Sequence, residues 1–246
     1  MLYFFVGLAA TLLGATIGVG GGIVIRPVLS LLHIDKGVAS FTSLIVVLTM
    51  AIVALLTYKH KNVKIEVKKT SILAIGSVIG SFLGAGFIPM VSEDFINIGY
   101  IIVLICVLIL VLMRDKLRPQ KEIGRGGAAA VGCISGALSG FFGIGGGPFQ
   151  MVALMICFKM RAKEAVVQSI FITLLTTISA LTRYMLNGVW NFSITVYMIP
   201  AAVAGGILGG ILNRKLKSPA VRITFMVVIS GMVCMQLFTI LTGGVR

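Results

Sequence analysis

Long apolar stretches alternate with short polar ones from end to end, and the apolar stretches predict the elements. Six runs have the length of a bilayer-spanning helix: roughly 38–58, 70–91, 95–113, 163–186, 192–212 and 219–241. Two other apolar segments, about 2–33 and 127–158, are longer, and each is interrupted by glycines, "GVGGG" (Gly18 to Gly22) and "GIGGG" (Gly143 to Gly147). An unbroken helix of about 31 residues would measure roughly 46 Å, well over the ~30 Å hydrocarbon core, while neither piece alone would cross it. The pattern therefore predicts an all-α polytopic membrane protein. A β-barrel would need alternating strands of about ten residues, and the chain has none.

The two glycine motifs are counterparts. A shift of 125 positions places Gly18, Gly20, Gly21 and Gly22 on Gly143, Gly145, Gly146 and Gly147, Asn62 on Asn187, Gly80 on Gly205 and Gly84 on Gly209. Three matched features at one offset predict an internal duplication. The halves are 1–113 and 127–246, joined by a polar linker at 114–126, and each has one glycine-broken segment followed by three transmembrane helices.

Loop charge sets the orientation. Lys59, Lys61, Lys64, Lys68 and Lys69 make the 58–69 loop cytoplasmic, as do Arg114, Lys116, Arg118, Lys121 and Arg125 for the linker. Glu93 and Asp94 mark an external turn. Lys159, Arg161 and Lys163 lie beyond the second broken segment and are also cytoplasmic in character. A re-entrant hairpin that enters and leaves on one side keeps both flanking basic stretches inside. Arg183 to Asn191, nearly uncharged and carrying Trp190, is then external, and Asn213 to Ser218 cytoplasmic. Three spans per half make this an inverted repeat. The alternative is that both broken segments cross fully and the repeat is parallel.

Composition narrows the class. Of 246 residues, 58% are hydrophobic and 11% charged, less than half the charged fraction of a soluble domain. The net charge of +14 sits in short loops between spans, so it is topogenic and not a nucleic-acid surface. Cys106, Cys133, Cys157 and Cys234 stand singly and are packing residues. No metal-ligand cluster and no nucleophile with a nearby His and acid is present, so neither an enzyme nor a cofactor is expected. "GVGGG" lacks the Lys-Ser/Thr of a phosphate-binding loop.

In a bilayer, a backbone break persists only where protein or a water-filled cavity surrounds it. A break that opens a new helix presents free N–H groups and the positive end of a helix dipole, which suits an anion. The candidate lining is Gly20, Gly21 and Gly22 in the first half and Gly145, Gly146 and Gly147 in the second, with Pro148 as first residue of the new half-helix. The competing role for these glycines is close helix packing, which is also the role expected of Gly80, Gly84, Gly205 and Gly209. Thr42 and Ser43 pair with Gln168 and Ser169 at a shift of 126 and could supply donors, or Ser and Thr could bond back to their own helices. Thr176, Thr177, Ser179 and Thr182 are expected to serve packing or back-bonding. Among the charged residues, only Arg26 and Arg183 approach membrane depth, where a guanidinium faces an anion or snorkels to the headgroups.

At these residues the chain resembles the sulfite exporter TauE/SafE family of membrane permeases. The glycine motif followed by apolar sequence and a proline carries the resemblance in each half. "ASFTSL" (Ala39 to Leu44) with "AVVQSI" (Ala165 to Ile170), and "GSFLGA" (Gly80 to Ala85) with "GGILGG" (Gly205 to Gly210), add to it. It covers essentially the whole chain and implies transport of small sulfur-containing or organic anions such as sulfite or sulfonates across the cell membrane. The chain departs from the family pattern at Gln168, which stands where the first half has Thr42, and at Arg26 and Gln150, which are polar where the pattern is usually apolar. The partners expected are a small anionic substrate and the lipid bilayer, with a homodimer as the candidate assembly.

Overall fold

The computed structural model describes residues 1–60, 67–113 and 123–241. The lysine loop around Lys61 and Lys64, Asn62 of the repeat, and the linker from Arg114 to Glu122 lie outside the described residues. Ten α-helices follow one another among the described residues: α1 Leu2–Ile17, α2 Gly22–Leu31, α3 Lys36–His60, α4 Val67–Ala85, α5 Glu93–Leu112, α6 Arg125–Phe142, α7 Gly147–Cys157, α8 Ala162–Leu186, α9 Thr195–Lys215 and α10 Ser218–Leu241. Six of them (α3, α4, α5, α8, α9 and α10) are long and apolar enough to cross a membrane. The expected spans are therefore met, with small shifts at their ends. The 70–91 run is not one helix: α4 stops at Ala85, and a 3₁₀ turn at Ile88–Met90 follows, where Gly86 and Pro89 disfavour its continuation. The second half's first helix begins at Arg125, inside the expected linker.

Each glycine-broken segment folds into two short helices joined by a four-residue break, Gly18–Gly21 and Gly143–Gly146. The breaks share their geometry at the first and third residues and differ at the fourth, Gly21 being right-handed (φ −51°) and Gly146 left-handed (φ 82°). Gly18 and Gly143 end α1 and α6 in the left-handed region (φ 76° and 64°), and Gly20 and Gly145 return to it (φ 67° and 80°). Only glycine adopts that conformation without strain. The first segment doubles back until Gly21 lies against Ala10 and Thr11, and the second until Gly146 lies beside Ser139.

Repeat symmetry extends to residues that no motif marks. Tyr58 near the end of α3 donates to the carbonyl of Ala15 (2.9 Å), and Tyr184, its counterpart on α8, donates to that of Gly140 (3.2 Å). At the start of α3 the Lys36 amide donates to Glu93 (2.9 Å) and its ammonium to the Val91 carbonyl. At the start of α8 the Lys163 amide donates to Ser218 (3.2 Å) and its ammonium to the carbonyls of Arg214 and Leu216 (2.8 and 3.0 Å).

The halves interlock through their glycine faces. Gly76, Gly80 and Gly84 of α4 meet the backbone of Ala129, Cys133 and Ala137, while Gly132, Gly136 and Gly140 of α6 meet Leu73, Ser77 and Ser81, so the two helices run in the same direction. The register of α1 on α9 is also parallel, with Gly205 at Thr11 and Gly209 at Ala15 and Thr16. The expected packing role of Gly80, Gly84, Gly205 and Gly209 is what this geometry gives them. A β-carbon at Gly80 would overlap the Cys133 carbonyl. Gly80→Val should therefore destabilise the fold by about 1–3 kcal/mol or more, as overpacking does. Fluorescence-detected size-exclusion chromatography would show it as loss of the monodisperse peak.

α3 and α8 are the most buried spans and form the centre. The periphery carries the apolar residues a bilayer would solvate, such as Ile75, Ile79 and Leu83 on α4 and Ile98, Ile102 and Ile109 on α5. Trp190 and Tyr197 are exposed at one end of α8 and α9, as interface aromatics are.

Candidate functional site

The two breaks meet each other at the centre. A β-carbon on Gly22 would overlap the Ile144 carbonyl, and one on Gly147 would overlap the carbonyl of Val19. Side chains from both central helices flank the junction: Val47 of α3 lies against Gly20 and Gly145, Thr173 of α8 against Gly20, and Thr177 against Gly145. Ile17 to Ile23 and Phe142 to Met155 are all buried. The predicted Gly20, Gly21, Gly22, Gly145, Gly146 and Gly147 are thus brought to one place.

Backbone accounting shows what the junction leaves over. In the first break Gly18 donates to Gly14, and the carbonyls of Gly20 and Gly21 accept from Ile23, Val24 and Ile25. In the second, Gly143 donates to Gly140, Ile144 to Ser139, and Gly146 accepts from Gln150 (3.1 Å). The amides of Gly20, Gly21 and Gly22, and those of Gly145, Gly146, Gly147 and Phe149, donate to no group among the described residues. Pro148 stands in the first turn of α7 as expected, where its missing N–H costs nothing.

Gln150 is the best-anchored polar side chain here. Its carbonyl oxygen accepts from Thr173 (2.8 Å) and its amide donates to Thr176 (3.2 Å), whose hydroxyl has the carbonyls of Thr173, Ile172 and Gly145 in reach (3.0, 3.1 and 3.3 Å). Arg26, one turn into α2, is 1% exposed. Its Nε donates to Ser40 Oγ and its Nη1 to Asn97 Oδ1 of α5, both at 3.4 Å. No carboxylate pairs with Arg26 among the described residues, where the ion pair joins Arg161 and Glu164. It is also the one buried charged side chain among them.

The remaining candidates divide. Ser43 is buried without a hydrogen-bond partner, while its counterpart Ser169 donates to the carbonyls of Gly18 (2.9 Å) and Val166 (2.8 Å). Thr42 accepts from Thr195 of α9 (3.1 Å), and Gln168 accepts from Thr70 of α4 (3.4 Å), so both are engaged across helix contacts. Arg183 lies over the Phe82 ring (5.2 Å) and beside Gly86. That is roughly 10 Å beyond Thr176 along α8, too far to join the junction. Sequence reading missed Ser40, Asn97, Ser139 and Thr173, and assigned Thr176 and Thr177 to packing or back-bonding, which Thr176 does make toward Ile172 and Thr173. The signal for the three threonines was present: Ser169, Thr173, Thr176 and Thr177 recur at helical spacing on one face of α8.

Known proteins share this chain's sequence over nearly its full length. Residues 3–235 match the sulfite exporter TauE/SafE family. The chain belongs to that family. Relatives of this TauE/SafE protein include the probable membrane transporter protein YunE of Bacillus subtilis, 29% identical over 94% of this chain and 95% of the relative. A probable membrane transporter protein of Methanocaldococcus jannaschii is 28% identical over 90% and 89%. A second Bacillus subtilis relative, YjnA, is 27% identical over 89% of each chain. Family and fold together make this TauE/SafE chain a multi-pass cell-membrane protein of a transporter family.

Proposed function

We propose that this TauE/SafE protein is a secondary transporter of small anions, sulfur oxyanions or organosulfonates such as sulfite or sulfoacetate, with its site at the paired glycine breaks. The observation that carries the reading is Arg26. A guanidinium buried at membrane depth is costly, and here neutral Ser40 and Asn97 hold it at long distances, with no carboxylate in salt-bridge contact among the described residues. An oxyanion docking beside the junction would supply the missing charge and accept two parallel N–H bonds. The free amides of both breaks add donors at the junction.

Helix directions support an inverted repeat. α9 runs parallel to α1 and also to α3, with Thr195 at Thr42, Gly206 at Val53 and Gly210 at Thr57. α4 runs parallel to α6 and to α8, with Thr70 at Gln168, Val78 at Ser179 and Ala85 at Asn187. Corresponding helices of the two halves then point oppositely, and the broken segments enter as hairpins from opposite faces. Alternating exposure of the junction by movement of one half against the other follows for such a repeat.

Purified protein in liposomes should take up radiolabelled sulfite saturably, and internal unlabelled sulfite should accelerate that uptake. Absence of flux for sulfite, sulfoacetate and methanesulfonate alike would overturn the reading. Unitary currents in a planar bilayer, without counterflow, would make it a channel.

A further inference from the structure

The two breaks differ in backbone at their last glycine, right-handed at Gly21 (φ −51°) and left-handed at Gly146 (φ 82°), and they differ in chemistry. Three buried hydroxyls have no hydrogen-bond partner among the described residues, those of Ser43, Ser139 and Thr177; Ser139 and Thr177 border the second break, and Ser43 lies on the helix that packs against it. Ser139 Oγ lies 2.8 Å from where a β-carbon would stand on Gly146, and Thr177 Oγ1 lies 3.2 Å from that position on Gly145. Ser43 lies on α3 between Ser40, which packs on Gly143, and Val47, which packs on Gly145. Spacings of three and seven residues from Ser40 put Ser43 and Val47 on one helix face. Gln150 Nε2 lies 2.5 Å from the same Gly146 position, with one hydrogen given to Thr176 and the other free. The amides of Gly145, Gly146, Gly147 and Phe149 complete the set at the N-terminus of the eleven-residue α7.

We propose that Ser43, Ser139, Thr177, Gln150 and these amides form a charge-free subsite that holds the oxyanion head of the substrate by hydrogen bonds alone. The proposal rests on the anion-transporter reading and extends it. Amide N–H groups only donate and the hydroxyls can donate, so the set suits an acceptor with several oxygens. Burial raises the value of each bond and the cost of leaving each donor unpaired. The first break has no such set: Ser169 spends its hydroxyl on the Gly18 and Val166 carbonyls, and Arg26, which follows it on α2, reaches across to Ser40 beside Gly143. Arg26 therefore attracts any small anion, while the second break counts and places its oxygens. A sulfite or sulfonate head, with three acceptor oxygens, fills it, and a halide does not.

Isothermal titration of the solubilised full chain with the sodium salts of sulfite, methanesulfonate, acetate and chloride tests this. Thr177→Val, which keeps the shape, and Ser139→Ala should each weaken sulfite and methanesulfonate roughly tenfold, the worth of one hydrogen bond to a charged group. Chloride, a single acceptor centre that cannot reach all of these donors at once, should be weakened less than sulfite in both. Thr177→Ser, which restores the hydroxyl, should bind sulfite as wild type does. Unchanged sulfite affinity in both removal variants overturns the subsite while the wild-type titration leaves the transporter reading intact. Failure of wild type to bind any of the four anions overturns both. If the removal variants do not yield monodisperse protein, the wild-type order decides. Sulfite and methanesulfonate above acetate and chloride supports the subsite, and methanesulfonate no tighter than chloride overturns it.

Discussion

Arg26→Met is expected to reduce sulfite uptake at least a hundredfold while leaving the melting temperature unchanged or raised. The two effects have separate origins. Folding gains little from this guanidinium: it is 1% exposed, its bonds to Ser40 and Asn97 are 3.4 Å long, and neither partner is charged. An isolated buried cation costs several kcal/mol, and removing it relieves that cost. Against the gain stand two weakened polar groups, at about 1 kcal/mol each. Methionine has a similar length and flexibility and would fill the space. Transport behaves differently, because a bidentate pair with an oxyanion comprises two charge-assisted bonds of roughly 1.5–3 kcal/mol each, together a factor of a hundred or more. Arg26→Lys keeps the charge without the planar fork and should fall between the two. Uptake in liposomes and a melting curve on the same preparation check both halves of the statement. A melting temperature that falls while uptake persists would make Arg26 a strut joining α2, α3 and α5.

Most of the fold was legible in the sequence because hydropathy reports desolvation directly. The ends of α3, α5 and α8 lie within a few residues of the apolar runs that predict them. The breaks were legible too, since a glycine triplet in an apolar run needs a backbone explanation, and Gly18, Gly20, Gly143 and Gly145 supply it with positive φ. What side chains touch across the halves was not legible. Ser43 and Ser169 look alike in sequence, yet Ser169 bonds to the first break and Ser43 bonds to nothing among the described residues. Thr182 bonds back to its own helix at Ile178, as expected, whereas Thr177 on the same helix faces Gly145. A hydroxyl on a helix gives one signal for both fates, and only the opposing backbone decides between them. Arg183 shows the same limit from the other side: its depth in the sequence resembled that of Arg26, but the bend at Gly86 and the Phe82 ring take it up at the end of the bundle.

The second large effect is expected at the junction itself, from the smallest available change. Gly22→Ala and Gly147→Ala each add one methyl group, and each methyl lands on the carbonyl of the opposite break, that of Ile144 or of Val19. Backbone cannot rotate aside as a flexible side chain can, so the breaks must separate by an ångström or so. Overpacking of this kind costs about 1–3 kcal/mol. The cost in function is larger, because a displacement of roughly 1 Å at a site that positions a ligand can remove about a hundredfold in rate. The double variant gives the sharper result. Both methyls force the same separation, so the second should add little to the first, and the free energies of the two changes should be less than additive. Gly231→Ala on α10, whose added β-carbon meets nothing within 4 Å, is the matched control and should transport normally. Uptake rates and melting temperatures for the four proteins test the cycle. Full additivity would mean that the breaks fail separately, each by disturbing its own hairpin, and full activity in either single variant would mean that their contact is dispensable for transport.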